Sequence, residues 1–174
     1  LTLIYSLHAK DNLQYVSGIF YAGSAIGAVF AGDLITLFIY WEFTAISSVF
    51  LVWARRSESA YKAGMRYLVM QVLSGLLLLA GTILYYRQTG SIAFMKLGTF
   101  TKLGLTNPAA LLIFLSFGIK AAFPFLHNWL QDAYPEATEV GTVFLSSFTT
   151  KLAIYALARG FLGTSELIWI SAAM

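Results

Sequence analysis

The chain has 174 residues, of which 59% are hydrophobic and only 11% are charged. Soluble domains carry about a quarter charged residues, so this composition predicts a chain that lies largely in lipid. The net charge is only +3, the basic residues stand between apolar runs, and there is no cysteine, which together exclude a nucleic-acid-binding stripe, disulfide frameworks and thiolate metal sites.

Apolar stretches long enough to cross a bilayer follow one another along the chain. A membrane-spanning helix needs about 20 mostly apolar residues, and we predict spans at 13–32, 34–54, 66–86, 108–133 and 139–158. The first of them is rich in Gly, Ala and Ser, which favours close helix packing, and Asp33 is placed to cap the second. A membrane barrel would instead show alternating runs of about ten residues. The sequence therefore predicts an all-α membrane protein, a polytopic bundle of transmembrane helices.

Apolar residues also occupy both ends of the chain. LTLIYSL at the start is typical of the end of an earlier apolar segment, and ELIWISAAM at the end is typical of the start of another. We therefore expect residues 1–174 to be an internal fragment of a single transmembrane domain.

Basic residues are concentrated in the predicted connection 55–66, which has four of them against one acid. Because positive charge is enriched in cytoplasmic loops, we expect this connection on the cytoplasmic side. The spans in between then place the connection 127–139 on the same side of the membrane.

Three of the predicted spans each contain an ionisable residue near the middle of the bilayer. Glu42 lies about 13 Å along its helix, and Lys120 and Lys151 each lie about 18 Å along theirs, at a rise of about 1.5 Å per residue. Each such charge costs roughly 2.5–3.5 kcal/mol to insert. One interpretation is a structural Glu–Lys pair; the other, which we favour, is a path for ions. A buried lysine beside a carboxylate holds its proton, and one whose partner has moved can release it.

A proline interrupts the fourth span just after its lysine. Pro124 lacks a backbone donor and disfavours helix at Phe123, so we predict a break near 122–127. Unwound backbone at membrane depth beside a charged residue is a common construction for ion sites, although an ordinary proline kink is the alternative. His127 follows the break, and it is either a proton relay or a hydrogen-bonded residue at a helix end. No cluster has metal-ligand spacing, so we expect neither a metal nor a cofactor.

Two stretches carry a family resemblance: GDLITLFIYWEFTAISSVFLVWA and GIKAAFPFLHNWLQDAYPEATEVGTVFLSSFTTKLAIYALAR. They resemble the antiporter-like membrane subunits, which include subunits of Mrp-type cation/proton antiporters, proton-pumping subunits of respiratory complex I, and subunits of membrane-bound hydrogenases. The resemblance implies a fold of about fourteen helices with two inverted repeats of about five helices each. Residues 1–174 would then run from the end of the third helix to the start of the ninth.

The same resemblance implies roles for the residues singled out above. Glu42 matches the glutamate of the family's fifth helix, Lys120 the lysine on the broken seventh helix, and Lys151 the lysine on the eighth. His127 matches the histidine found just past the break at Pro124. Proton translocation through Glu42, Lys120 and Lys151 is therefore the implied activity, in a multi-pass protein of the bacterial inner membrane.

Thr138 distinguishes branches of this family, because many complex I relatives have proline there. The variant resembles the D-type subunits of the Mrp sodium/proton antiporters. The implied partners are other membrane subunits of an antiporter or respiratory complex, together with protons and sodium or potassium. A proton-pumping subunit of NADH-quinone oxidoreductase or of a membrane-bound hydrogenase remains an alternative, as does a scaffold subunit that transports nothing. The resemblance implies an ion translocase subunit that is not itself expected to be a redox catalyst.

Overall fold

The computed structural model describes residues 2–8, 10–94, 97 and 107–161, and all of its regular elements in those ranges are helices. In chain order they are α1 (Thr2–Ser6), α2 (Asn12–Phe30), α3 (Leu34–Trp53), α4 (Glu58–Thr89), α5 (Pro108–Ala121), α6 (Asn128–Glu136) and α7 (Glu139–Phe161). Helices α2, α3, α4 and α7 are long and apolar enough to cross a membrane, and α5 is a shorter apolar helix. The predicted all-α, polytopic fold is confirmed. The predicted apolar segment at 166–174 lies outside the described residues.

Side-chain caps set the bounds of the membrane helices. Asp33 accepts a hydrogen bond from the Thr36 backbone N–H at the start of α3, which confirms its predicted cap role. Ser57 caps α4 in the same way, and Gly90 ends that helix in the left-handed conformation. Because of the Ser57 cap, α4 already begins at Glu58, contrary to the loop predicted across 55–66.

Helices α2 to α5 pack as successive antiparallel neighbours, and α7 packs against α2, α3 and α5. Two buried apolar clusters fill the spaces between them. One is centred on Trp41 and Phe117, and the other on Tyr67, Trp129 and Phe144. The helices therefore have buried faces that meet one another and apolar outer faces suited to lipid.

The helix predicted at 108–133 is interrupted, with α5 ending at Ala121 and α6 beginning at Asn128. Ala122 takes a left-handed conformation with φ of 60°, which ends α5. The Phe123 N–H donates to Gly118 O at 3.0 Å, and the Trp129 indole N–H donates to Ile119 O at 2.9 Å. Two carbonyls freed by the break are thus satisfied within the protein, as unwound backbone at membrane depth requires.

The connection after α3 and the end of α6 lie at the same end of the bundle, as the sequence predicts. Arg55 donates to Pro135 O at 2.6 Å, and Arg66 forms an ion pair with Asp132 at 2.8 Å. This arrangement sets α6 between the helix break and the end of the bundle that carries the basic residues.

Candidate functional site

Lys120 is a buried cation in the last turn of α5, with 1% of its surface exposed. Its Nζ donates to Trp41 O and to Thr44 Oγ1, both at 2.8 Å, and lies 4.3 Å from the centre of the Trp41 ring. Because the C-terminal end of a helix carries partial negative charge, its position on α5 also favours an ammonium group. The charge is therefore stabilised by α3 and by the helix on which it lies.

Trp41 is held in place by contacts with α4 and α5. Its indole N–H donates to Ser74 Oγ at 2.9 Å, and Ser74 Oγ donates in turn to Ser116 O at 2.8 Å. The ring also packs on Phe117, with centroids 5.2 Å apart. These bonds join α3, α4 and α5 just beside Lys120, so the aromatic partner of the ammonium is fixed by all three helices.

Glu42 lies next to Trp41 on α3 and points toward α4. A Cβ atom added to Gly75 would overlap Glu42 Oε1 and would lie 2.6 Å from its Cδ, so only glycine leaves room for this carboxylate. The carboxylate is close enough to Lys120 for an electrostatic interaction, but the ion pairs of the described residues do not include these two groups. The structure thus brings Glu42 and Lys120 into one neighbourhood without a direct ion pair.

Gln71 is fully buried on the same face of α4 as Gly75. Among the described residues, both polar atoms of its amide and Glu42 Oε1 are the buried side-chain atoms that make no hydrogen bond to a protein group. Buried polar groups are nearly always hydrogen-bonded, so this part of the α3–α4 interface is unusual.

Buried hydroxyl groups form a second polar region nearer the basic end of the bundle. Ser48 Oγ and the Tyr67 hydroxyl are 2.7 Å apart and join α3 to α4. The Tyr21 hydroxyl is hydrogen-bonded to Thr149 Oγ1 and joins α2 to α7. Thr149 also interacts with the Tyr67 hydroxyl, so the two pairs form one connected group.

Lys151 has a different environment from Lys120. Its side chain is exposed, and its Nζ donates to Ser146 O within its own helix. It lines an apolar groove between α2 and α7, together with residues such as Ile26 and Tyr155. The structure therefore does not bring Lys151 into the group formed by Glu42 and Lys120.

His127 and Pro124 both belong to the break between α5 and α6. His127 immediately precedes α6 and is half-buried, and its ring makes no capping hydrogen bond to that helix. Pro124 is also half-buried and precedes Phe125, which is 92% exposed. The two residues lie where the sequence predicts, between the buried lysine and the end of the bundle.

Sequence reasoning missed the groups that surround the three charges. Trp41 and Thr44 stand in the sequence as ordinary members of an apolar span, although they make the contacts to Lys120. On α4, the spacing of Tyr67, Gln71 and Ser74 is the signal that was available, because residues four and three apart share one helix face. Polar side chains repeated in this way within an apolar helix indicate a buried polar face.

The arrangement of Lys120, Thr44 and Glu42 is chemically suited to proton transfer. A buried lysine that touches a hydroxyl and lies near a carboxylate can lose its proton and regain it with small movements of its neighbours. In the part of the chain that the structure describes, no three His, Asp or Glu side chains come together as metal ligands would.

Comparison with known proteins gives a consistent family match. A family model described as "NADH:quinone oxidoreductase/Mrp antiporter, TM" matches residues 31–173. The chain is 32% identical over 169 residues to the A-type subunit of the Na(+)/H(+) antiporter of Alkalihalophilus pseudofirmus, and the match covers 91% of this chain and 21% of that protein. It is 26% identical over 157 residues to the D-type subunit of the Na(+)/H(+) antiporter of Bacillus subtilis, with 87% and 32% covered.

A solved structure of an Mrp complex from a Dietzia species has a similar fold. Its matching chain superimposes with a TM-score of 0.74 and 29% identity, over 87% of this chain and 30% of that one. The chain thus spans about a fifth of the length of the A-type relative and under a third of the other two.

Proposed function

We propose that this chain, which belongs to the NADH:quinone oxidoreductase/Mrp antiporter family of membrane proteins, translocates protons in a multi-subunit monovalent cation/proton antiporter complex. The observation that carries the proposal is Lys120, an ammonium group at the end of an interrupted helix with only 1% of its surface exposed. A charge at this depth costs several kcal/mol and is retained mainly where ions pass. The names of the two antiporter relatives support the same class of activity.

Each of the other charged residues has a distinct role in the proposed path. Glu42 modulates Lys120 electrostatically, Lys120 takes up and passes on the proton, and Lys151 relays it toward a neighbouring part of the full-length protein. The exposed position of Lys151 suits a residue whose partner lies elsewhere. His127, beside the break, connects Lys120 to water at the basic end of the bundle.

The proposal also covers which type of Mrp subunit this chain comes from. The Thr138 variant predicts the D type, whereas the identity of 32% to an A-type relative exceeds the 26% to a D-type relative. We propose an Mrp-type subunit of one of these two types and expect the A type on the strength of the identities. Expression of the full-length protein in strains lacking either type tests this assignment, and restored growth in only the strain without the D type would contradict it.

Lys120→Ala in the full-length protein, assembled in its complex, tests the proposed activity. Transport is followed with a pH-sensitive dye in everted membrane vesicles, after addition of sodium or potassium or of a redox donor. We expect the variant to lose transport by roughly a hundredfold, because a positioned proton-transfer group contributes about that much or more. Lys62→Ala is the matched control, since Lys62 is an exposed lysine paired with Glu58 on the surface of α4.

Each outcome of this experiment separates the alternatives. Loss of transport in the Lys120 variant, with normal assembly, supports a role in proton transfer. Normal transport in that variant would make Lys120 a structural residue and contradict the proposal. Transport started by the redox donor but not by a cation would identify a respiratory or hydrogenase complex in place of an antiporter.

A further inference from the structure

Three buried polar atoms at the α3–α4 interface have no hydrogen-bond partner among the described protein groups: Glu42 Oε1 and the two polar atoms of the Gln71 amide. Leaving such atoms unsatisfied in the interior costs free energy. The side chain of Gln71 is fully buried, so bulk water does not reach it. A small polar molecule bound among the described residues would satisfy these atoms.

The helix register places Gln71 at the depth of Lys120. Ser74 bonds to Ser116 across the antiparallel helices α4 and α5. Gln71 is three residues before Ser74, and Lys120 is four residues after Ser116, so both lie about one helical turn from this contact in the same direction. Gln71 therefore lies level with Lys120.

The contacts between α3 and α4 also place Gln71 at the level of Lys120. Trp41 bonds to Ser74, and α3 runs antiparallel to α4. Thr44 is three residues after Trp41 and Gln71 is three before Ser74, so Thr44 and Gln71 are level with each other as well. Glu42 lies beside Gly75, one turn of α4 from Gln71. Along the helix axes, Gln71 is thus level with the Thr44–Lys120 hydrogen bond and one turn of α4 from the carboxylate.

The donors and acceptors at this place match water and not a cation. Glu42 Oε1 and Gln71 Oε1 accept, whereas Gln71 Nε2 donates. Lys120 uses two of its three N–H donors on Trp41 O and Thr44 Oγ1. A water molecule both donates and accepts and typically makes about three such bonds in a protein interior. A sodium or potassium ion would leave the amide N–H unsatisfied and would be repelled by the ammonium.

We propose that Gln71 binds an ordered water between Glu42 and Lys120, and that it is thereby a positioning residue for proton exchange between them. Gly75 provides the room in which the carboxylate reaches this water. The water site rests on the unsatisfied atoms and on the helix register, whereas its use in proton exchange rests on the proposed function.

Electron cryo-microscopy of the full-length protein in its complex tests the water site. In the wild type we expect density about 2.7–3.2 Å from Glu42 Oε1 and from the Gln71 amide. Gln71→Leu removes both polar atoms at similar volume and is expected to remove this density. Gln71→Asn keeps an amide and is expected to keep it, which guards against a variant that simply fails to pack.

Ser74→Ala is the matched control on the same helix face. It removes a buried hydroxyl that bonds to Trp41 and Ser116, so it costs stability without touching the Gln71 amide. We expect the density to remain in this variant. A wild-type map without the density, or an unchanged density in Gln71→Leu, would overturn the proposal. Density that appears in sodium buffer and disappears in sodium-free buffer would indicate a cation site and overturn it equally.

Transport measurements then separate this inference from the proposed function. We expect Gln71→Leu to slow proton transport roughly tenfold and Gln71→Asn to restore most of it, because the amide supplies hydrogen bonds to the bridging water. If Lys120→Ala abolishes transport while Gln71→Leu transports normally, the positioning role is wrong and the proposed function stands. If Lys120→Ala transports normally, the proposed function fails, and the density still decides whether water binds at Gln71.

Discussion

Lys120 and Lys151 lie in adjacent transmembrane regions, and the sequence predicts them at the same depth, yet their surroundings differ. Lys120 is buried at the end of α5, and its ammonium contacts a carbonyl, a hydroxyl and an indole ring of α3. Lys151 is exposed on α7 and bonds to a carbonyl of its own helix. Lys120 therefore takes its hydrogen-bond acceptors from a neighbouring helix, whereas the acceptor of Lys151 belongs to its own helix.

The difference shows what allows a lysine to be buried in this fold. The α5 helix ends one residue after Lys120, so the ammonium lies at the negative end of the helix dipole. Helix α3 adds acceptors at the same level through Trp41 and Thr44. Lys151 lies in the interior of the continuous helix α7, away from either end of its dipole, and it donates to Ser146 O of the same helix. Burial of the cation thus follows from the helix break and from the packing of α3.

Of the substitutions that test the difference between the two lysines, Gly75→Ala is expected to have the largest effect. The added Cβ would overlap the Glu42 carboxylate, which must move away from its place near Lys120. We expect a loss of thermal stability of about 1–3 kcal/mol, as for overpacked interiors, together with impaired transport. Gly23→Ala on α2 is the control, since no atom lies within 4 Å of its added Cβ. Equal behaviour of the two variants would show that Glu42 does not occupy this position.

A double-mutant cycle tests whether Lys120 and Lys151 have separate environments, and its expected effect is of intermediate size. Thr44→Val combined with Lys120→Met is expected to be non-additive by about 0.5–3 kcal/mol, because the two groups share a buried hydrogen bond. Thr44→Val combined with Lys151→Met is expected to be additive within about 0.5 kcal/mol. Thermal unfolding of the purified full-length complex in detergent provides the measurement. Coupling of Thr44 to Lys151 would mean that the two lysines share one environment.

The smallest expected effect concerns Asp33, which caps α3 at the end of the bundle remote from the basic connection. Hydrogen bonds from Thr36 hold the pKa of this carboxyl below its usual range. Because the pKa is lower in the folded protein, the stabilisation is present above the ordinary aspartate pKa and is lost as pH falls through the folded value. We expect Asp33→Ala to cost about 1 kcal/mol at neutral pH, without altering either lysine.

Unfolding at several pH values checks this prediction. Asp33→Asn keeps a capping group that does not titrate, so its stability relative to the wild type is expected to increase below about pH 4. A constant difference across the pH range would show that the carboxylate form of Asp33 contributes nothing to the cap.

The fold class and the helix break followed from the sequence because they depend on local chemistry, as did the presence of charged residues within apolar runs. Long apolar runs specify membrane helices, Pro124 cannot continue a helix, and a lone charge in an apolar run is visible by itself. Asp33 was recognisable as a cap for the same reason. The start of α4 was misplaced because the basic residues after Ser57 suggested a loop, although they form its first exposed turns.

Only the tertiary structure decided which charges are buried and what meets them. When a helix is apolar on all sides, the spacing of its apolar residues does not indicate which face packs inward. The sequence alone therefore indicated no difference in burial between Lys120 and Lys151. The approach of α3 supplied Trp41 and Thr44 to one of them, and the approach of α4 placed Gly75 against Glu42. The sequence by itself determined that this protein carries three costly charges in membrane helices, whereas packing between distant segments determined their partners, because hydrogen bonds across helices depend on register and rotation.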